Sequence, residues 1–170
     1  MKLNVERLNR ILSHLFKEMR IMSDNDRELP MKWSIMHMYS STQLACLTAL
    51  KEGLDPEIAG LIACLHDVGS VMTGKRLNHA ENAEPFIRDI ITKYNNEFRY
   101  NLNKINDGEL EIIVEAVVSH SDKGVYTNKP YVELMKNIDS LDRYLHGINT
   151  TEDHLERLKL GFEMFDLGDI

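Results

Sequence analysis

The chain has 170 residues, of which 43% are hydrophobic, and its formal net charge is -7 at pH 7. This length and hydrophobic content suit a single domain with one substantial core. The negative charge argues against a protein that coats long nucleic acid or an anionic membrane, because both are polyanions. Cys46 and Cys64 lie in apolar segments without paired spacing, and no apolar run is long enough to cross a bilayer, so we expect a cytoplasmic protein with reduced thiols.

Helical periodicity organises the N-terminal part of the chain. A first helix is predicted over Leu3–Met22, and a second runs from about Trp33 to Glu52, where Gly53 ends it. Asp55-Pro56-Glu57 is typical of a helix start, with a capping side chain, a proline in the first turn and an acid that suits the helix dipole. The third helix that begins there runs into the doublet His66-Asp67.

The middle of the chain is predicted to alternate between loops and helices. A glycine-containing, basic loop follows the doublet and includes Lys75 and Arg76. Asn78 with Glu81 three residues later matches a capping box, which predicts a fourth helix starting at His79. The polar stretch Asn95–Gly108 is expected to be a long connection or a lid.

The C-terminal part continues the helical pattern. The fifth helix has buried positions at Leu110, Ile113, Val114 and Val117, and it ends at Ser119-His120-Ser121. After the loop Asp122–Pro130, a sixth helix is predicted from Tyr131 to about His146, and a seventh from about Thr151 to Phe165. No run alternates long enough to form a strand. The sequence therefore predicts an all-α, single compact bundle of about six to seven helices, with one domain over residues 1–170.

His66-Asp67 is the most informative motif, because it places an imidazole and a carboxylate next to each other at the end of an apolar helix. Adjacent helical residues point roughly 100° apart, so their side chains converge only beyond the helix terminus. A metal ion is the usual occupant of such a point. His37, early in the second helix, and Asp139, inside the sixth, are well placed to reach it in a bundle, and His79 and His120 are further positions to weigh. Imidazole and carboxylate without thiolate favour a divalent Fe, Mn, Co, Ni, Zn or Mg ion.

Five short motifs occur in an order that resembles the HD-domain superfamily of metal-dependent phosphohydrolases. The resemblance covers about Trp33 to His146. The motifs are Met36-His37-Met38, Leu65-His66-Asp67-Val68-Gly69, Asn78-His79-Ala80-Glu81, Ser119-His120-Ser121 and Asn137-Ile138-Asp139.

The resemblance implies a ligand set and a reaction. His37, His66, Asp67 and Asp139 are expected to bind the primary ion, while His79 and His120 match the positions that bind a second ion in dinuclear members. In such members Asp67 bridges the two ions. The implied activity is hydrolysis of a phosphate ester or anhydride of a nucleotide-like substrate by a metal-activated water.

Roles for individual residues follow from this chemistry. Asp67, His79 and His120 are the expected catalytic residues. An imidazole with a pKa near 6.5 suits a general acid or base, so either histidine is a candidate for that role when only one ion is present. The substrate is expected to be a small phosphate compound, with a homodimer as a possible assembly. The basic candidates for holding its phosphate are Lys75, Arg76, Lys123 and Arg143.

Some sequence features limit this interpretation. Ser70 stands where many members of the superfamily have a lysine, and no Gly-Tyr-Pro segment follows the histidines, which argues against the cyclic-dinucleotide phosphodiesterases. Two alternatives remain open: an oxygen-dependent di-iron enzyme of the same fold, and a non-catalytic nucleotide-binding regulatory module. Asp142 and Arg143 are candidates to contact the site, although a solvated pair near Asp139 is the favoured interpretation. The remaining histidines are expected to be structural or surface residues: His14, His146 and His154.

Overall fold

A computed structural model describes residues 3–168, which contain eight α-helices and no β-strand. Seven helices have ten residues or more, as the sequence predicts, and the all-α class is confirmed. None of the helices in this range is long and apolar enough to span a membrane. The helices are α1 (Glu6–Met19), α2 (Met31–Glu52), α3 (Pro56–Leu65), α4 (Val68–Thr73), α5 (Glu84–Lys93), α6 (Asp107–Ser119), α7 (Pro130–Leu145) and α8 (Glu152–Met164).

Helix α3 lies at the centre of the fold. Asp55 caps its start, since its Oδ1 accepts hydrogen bonds from the backbone N–H groups of Glu57 and Ile58 at 2.8 and 3.3 Å. Every residue from Glu57 to Leu65 is buried. A helix without a polar face is stable only when other helices surround it, and α1, α2, α6 and α7 do so here. The doublet at its C-terminal end therefore lies inside the fold.

Two glycines let helices approach closely. A Cβ atom at Gly60 would lie 2.4 Å from a δ carbon of Leu8, so the absence of a side chain lets α1 pack directly on α3. A Cβ atom at Gly161 would lie 3.1 Å from the Cβ of Leu141 and 3.4 Å from the backbone oxygen of Asn137. Helix α8 consequently crosses α7 at short range.

Two local predictions are wrong. The segment Val68–Thr73 is the short helix α4 rather than a loop, because six residues are too few to show a helical period in the sequence. Asn78 adopts φ +53, a left-handed conformation that asparagine tolerates, and it does not cap a helix. A 3₁₀ turn at Glu81–Ala83 instead leads into α5, which begins at Glu84 rather than at His79.

The connection between α5 and α6 is well anchored. It opens with a π-helical turn over Tyr94–Phe98. The side chain of Asn95 bonds both backbone groups of Ile105, with N–O distances of 2.9 Å in each case. A capping box does exist at the end of the connection, where the side chain of Asn106 bonds the N–H of Glu109 and that of Glu109 bonds the N–H of Asn106. The connection is thus tied at both ends.

Candidate metal centre

Six side chains from five parts of the fold meet at one place. Two of the histidines follow directly on the last residue of a helix, where the chain turns away and leaves the ring free to face inward. All six are the ligand candidates that the sequence predicts. They are His37 in α2, His66 and Asp67 at the end of α3, His79 in the turn before the 3₁₀ segment, His120 at the end of α6 and Asp139 in α7.

The orientation of each imidazole ring is fixed from behind. In all four histidines Nδ1 faces an oxygen that can accept a hydrogen bond but cannot donate one. Nδ1 therefore carries the proton, and Nε2 points into the site. Three of these oxygens are backbone carbonyls of the same or a neighbouring turn, and the fourth is a carboxylate from α7. The pairs are His66 with Ala63 at 2.7 Å, His79 with Arg76 at 2.8 Å, His120 with Val117 at 2.6 Å and His37 with Asp142 at 2.5 Å.

The four Nε2 atoms form two close pairs. Those of His37 and His66 are 3.0 Å apart, and those of His79 and His120 are also 3.0 Å apart. Asp139 faces the first pair, with Oδ1 3.2 Å from Nε2 of His37. We call His37, His66 and Asp139 the first set, and His79 and His120 the second set.

Asp67 lies between the two sets and directs one oxygen to each. Its Oδ2 is 3.7 Å from Nε2 of His37 and 3.6 Å from Nε2 of His66. Its Oδ1 is 3.1 Å from Nε2 of His79 and 3.9 Å from Nε2 of His120. This division of the carboxylate is the arrangement that a bridging ligand requires.

The electrostatics favour positive charge in both sets. Burial disfavours a charged His37, but hydrogen bonds to Asp139 and Asp142 outweigh it and raise its pKa to about 10. Burial is likewise outweighed at His79, where the hydrogen bond to Asp67 raises the pKa. Burial lowers the pKa of His66, and it lowers that of His120 to about 3. In each pair, one ring therefore has a raised pKa and the other a lowered one.

This donor set fits divalent cations. Two ring nitrogens 3.0 Å apart need a proton or a cation between their lone pairs. Nitrogens bound to a transition metal at ~2.1 Å and at right angles to each other lie about 3.0 Å apart, so the spacing suits adjacent ligands of one octahedral ion. The three residues of the first set offer ligand atoms within 4.8 Å of one another, and so do His66, Asp67 and His120. No sulfur ligand takes part.

Close packing explains why residue 69, two positions after the doublet, is a glycine. A Cβ atom at this position would lie only 2.0 Å from the backbone oxygen of His79. The backbone of α4 therefore touches the turn that carries His79. This contact brings His79 to Asp67, although the two residues are 12 positions apart in the chain.

A pocket of about 150 Å³ opens onto the two carboxylates and His79. Three of the four basic residues predicted to hold phosphate line it: Arg76, Lys123 and Arg143. Lys75 does not line this pocket; its side chain is 60% exposed and lies 3.8 Å from a carboxylate oxygen of Glu28. The pocket thus joins the candidate metal ligands to a cationic wall.

Lys123 is the most buried part of that wall. Its side chain is 4% exposed, and its Nζ donates a hydrogen bond to Oδ2 of Asp139 at 2.5 Å. Burial lowers the pKa of this lysine, whereas Asp139 opposes the shift. The residue joins the pocket wall to a carboxylate of the first set.

Two site residues escape the sequence analysis. Asp142 was expected to be solvated, but it is 1% exposed and holds Nδ1 of His37. Its position three residues after Asp139 on the same helix was the available signal, because residues at that spacing share a face. His154 of α8 was expected to be a structural or surface residue, yet it lines the pocket and pairs with the hydroxyl of Ser140 at 2.9 Å.

Comparison with known proteins assigns the chain to a family. Residues 35–144 match the HD domain. The chain belongs to the HD-domain superfamily of metal-dependent phosphohydrolases, as its motifs suggested. Members of this family bind divalent metals. Neither the curated proteins nor the solved structures contain a significant match to this HD domain.

Proposed function

We propose that this HD-domain protein hydrolyses a phosphate ester or anhydride of a nucleotide-like substrate, with water attacking phosphorus in the pocket beside Asp67. The observation that carries the proposal is the division of Asp67 between two histidine pairs, at the edge of a basic pocket that Asp67 itself lines. One or two divalent ions, when bound, would lower the pKa of water and neutralise charge on the phosphoryl oxygens.

The candidate ligands divide into two groups of unequal strength. The first set with Oδ2 of Asp67 offers two imidazoles and two carboxylates, a complete set for one ion. The second set with Oδ1 of Asp67 offers two imidazoles and one carboxylate. We infer that the first group binds an ion in every active state.

The protein supplies charge and positioning around the reacting phosphate. Lys123 and Arg143 are placed to hold its oxygens, Lys123 as a buried point charge and Arg143 through a planar fork. A pocket of about 150 Å³ is below the roughly 300 Å³ at which sites for whole drug-sized ligands begin. We therefore expect the phosphoryl group and its nearest atoms to be enclosed, with the remainder of the substrate outside, near Arg76.

A proton must reach the leaving group, and His79 is suited to deliver it when only the first set holds an ion. Its ring is 23% exposed, so it borders both the pocket and solvent. Burial disfavours the charged ring, but the hydrogen bond that Nε2 donates to Asp67 outweighs it and raises the pKa, which favours the protonated form. His120 is buried and has a lowered pKa, so it is the weaker proton donor of the two.

The decisive experiment is a phosphate-release screen with Mn²⁺, Fe²⁺, Co²⁺ or Mg²⁺ added, over mononucleotides, cyclic nucleotides and dinucleoside polyphosphates. Asp67→Ala should lower turnover about a hundredfold or more and weaken metal binding, because metal affinity and activity depend on this ligand shell. Asp89→Ala is the matched control, since Asp89 is an exposed aspartate that pairs with Lys93. It should behave as the parent protein does.

The same assay separates the alternatives. Phosphate release that continues under argon supports the hydrolase. Substrate consumption that stops without oxygen would favour the di-iron oxygen-dependent enzyme instead. Nucleotide binding without turnover of any compound, at any metal, would favour the regulatory module.

A further inference from the structure

Lys123 reaches the pocket from a loop rather than from a helix. The loop connects α6 to α7, and neighbouring loop residues such as Asp122 and Val125 are exposed. A lysine on such a segment would normally sample many conformations. Something must therefore hold the loop for Nζ to stay 2.5 Å from Asp139.

Arg157 of α8 holds this loop by its backbone. Its Nε donates to the carbonyl oxygen of Lys123 itself at 2.7 Å, and its Nη2 donates to that of Val125 at 2.8 Å. The ring of Tyr126 covers the guanidinium, 3.9 Å from its central carbon. Arg157 is fully buried, which is rare for an arginine and requires these partners.

The other edge of the guanidinium is tied to α7. Its Nη1 bonds the carboxylate of Glu133 and lies 3.3 Å from Oδ1 of Asn137. Helix α7 also carries Asp139. One planar group thus fixes the loop that bears Lys123 relative to the helix that bears the carboxylate it pairs with.

We infer that Arg157 is a positioning residue of the site, acting through Lys123 on phosphate binding. The inference rests on the proposed function. Arg157 touches neither the metal-ligand candidates nor the pocket, and it lies beyond residue 144, where the family match ends. Its role is to set the place of a cation that binds the phosphoryl group.

The test is a double-mutant cycle with inorganic phosphate as the probe. Calorimetry of the Mn²⁺-loaded full chain measures phosphate affinity, and hydrolysis of p-nitrophenyl phosphate measures kcat and KM, for Arg157→Lys, Lys123→Met and the double variant. Arg157→Lys keeps the charge but loses the fork that spans two carbonyl groups. We expect it to weaken phosphate affinity about fivefold, and Lys123→Met about tenfold, since coupled neighbours contribute energies of this size.

Non-additivity is the signature of positioning. If Arg157 acts through Lys123, the double variant should bind phosphate no more weakly than Lys123→Met does alone, although its melting temperature falls. Effects that multiply in the double variant, or a parent-like Arg157→Lys, would overturn the inference. A parent protein that neither binds nor hydrolyses any phosphate would overturn the proposed function first, and the inference with it.

Two further variants guard against unfolding. Glu133→Gln keeps the side-chain volume but weakens the bond to Nη1, and it should lower phosphate affinity about twofold only while Lys123 is present. If Arg157→Lys does not fold, the comparison of Glu133→Gln with and without Lys123 tests the inference in its place. Lys159→Met is the matched control on α8, because Lys159 pairs with Glu156 at the surface. Its phosphate affinity should equal that of the parent.

Discussion

The two histidine sets beside Asp67 are built differently. In the first set all three residues lie within helices or at a helix end, and all are buried. In the second set His120 is buried at the end of α6, but His79 sits in a turn and its side chain is 23% exposed. The first set also has a carboxylate behind one ring, at His37, whereas both rings of the second are backed by neutral carbonyl groups.

This difference indicates unequal metal affinity. A carboxylate behind an imidazole makes the ring a stronger ligand and fixes its direction. Rigid helices hold ligand geometry better than a turn does. We therefore expect the first set to keep its ion through purification and the second to exchange it.

The largest predicted effect comes from removing one ring of each set. His66→Ala should weaken binding of the tightest ion about a hundredfold and abolish turnover, while His79→Ala should remove only the weaker equivalent of metal. Titration with Mn²⁺, followed by electron paramagnetic resonance, counts the ions. Equal losses in the two variants would show that the sets do not differ.

Gly69→Ala should separate the sets without touching a ligand. The added Cβ would overlap the backbone oxygen of His79, so the turn must move, at a cost of roughly 1–3 kcal/mol in the free energy of unfolding. The second ion should be lost and the first retained, as measured by the same titration alongside chemical denaturation. Gly108→Ala is the control, because its nearest neighbour would be a side-chain oxygen at 3.3 Å. Loss of both ions would contradict the prediction.

Asp142→Asn tests the carboxylate behind the first set. The amide oxygen can still accept the hydrogen bond from Nδ1 of His37, but it lacks the charge that strengthens the ring as a ligand. Affinity for the first ion should fall about tenfold, and the second ion should be unaffected. Asp89→Asn serves as a surface control. Unchanged affinity would mean that Asp142 only fills space.

The smallest effects are expected on the pocket wall. Arg143→Met should raise KM a few-fold, about 1 kcal/mol of lost binding, and should leave metal affinity unchanged. Lys75→Met should leave both quantities unchanged, because Lys75 does not line the pocket beside Asp67. Steady-state kinetics with the best substrate of the screen compare the two. A larger rise in KM for Lys75→Met than for Arg143→Met would show that the substrate binds outside this pocket.

The sequence was sufficient to predict most helices and the six side chains that meet. Local signals carried these predictions: the period of apolar residues in α1, the cap at Asp55 and the doublet at the end of α3. The two wrong local predictions arose where short patterns are ambiguous. Asn78 with Glu81 matches a capping box, yet the backbone turns left-handed at Asn78, and the same motif forms properly at Asn106 with Glu109.

Long-range partners were not predictable in this way. Asp142 is buried because Nδ1 of His37, 105 residues earlier, donates a hydrogen bond to its carboxylate. Arg157 is buried because loop carbonyl groups more than 30 residues away satisfy its donors. A single sequence does not record which distant group neutralises a charge, so both residues were expected at the surface or passed over.

The glycine at the crossing of α8 and α7 also bears on how far the working unit extends. Residues 35–144 include Asp67 and the five candidate ligands around it, yet the short approach at Gly161 brings in a guanidinium and an imidazole from the next helix. A larger residue at position 161 would leave every candidate ligand unchanged but would displace α8 from α7 and so alter the pocket. In a survey of related chains, the size of the residue at this crossing would therefore be worth comparing alongside the His-Asp motif.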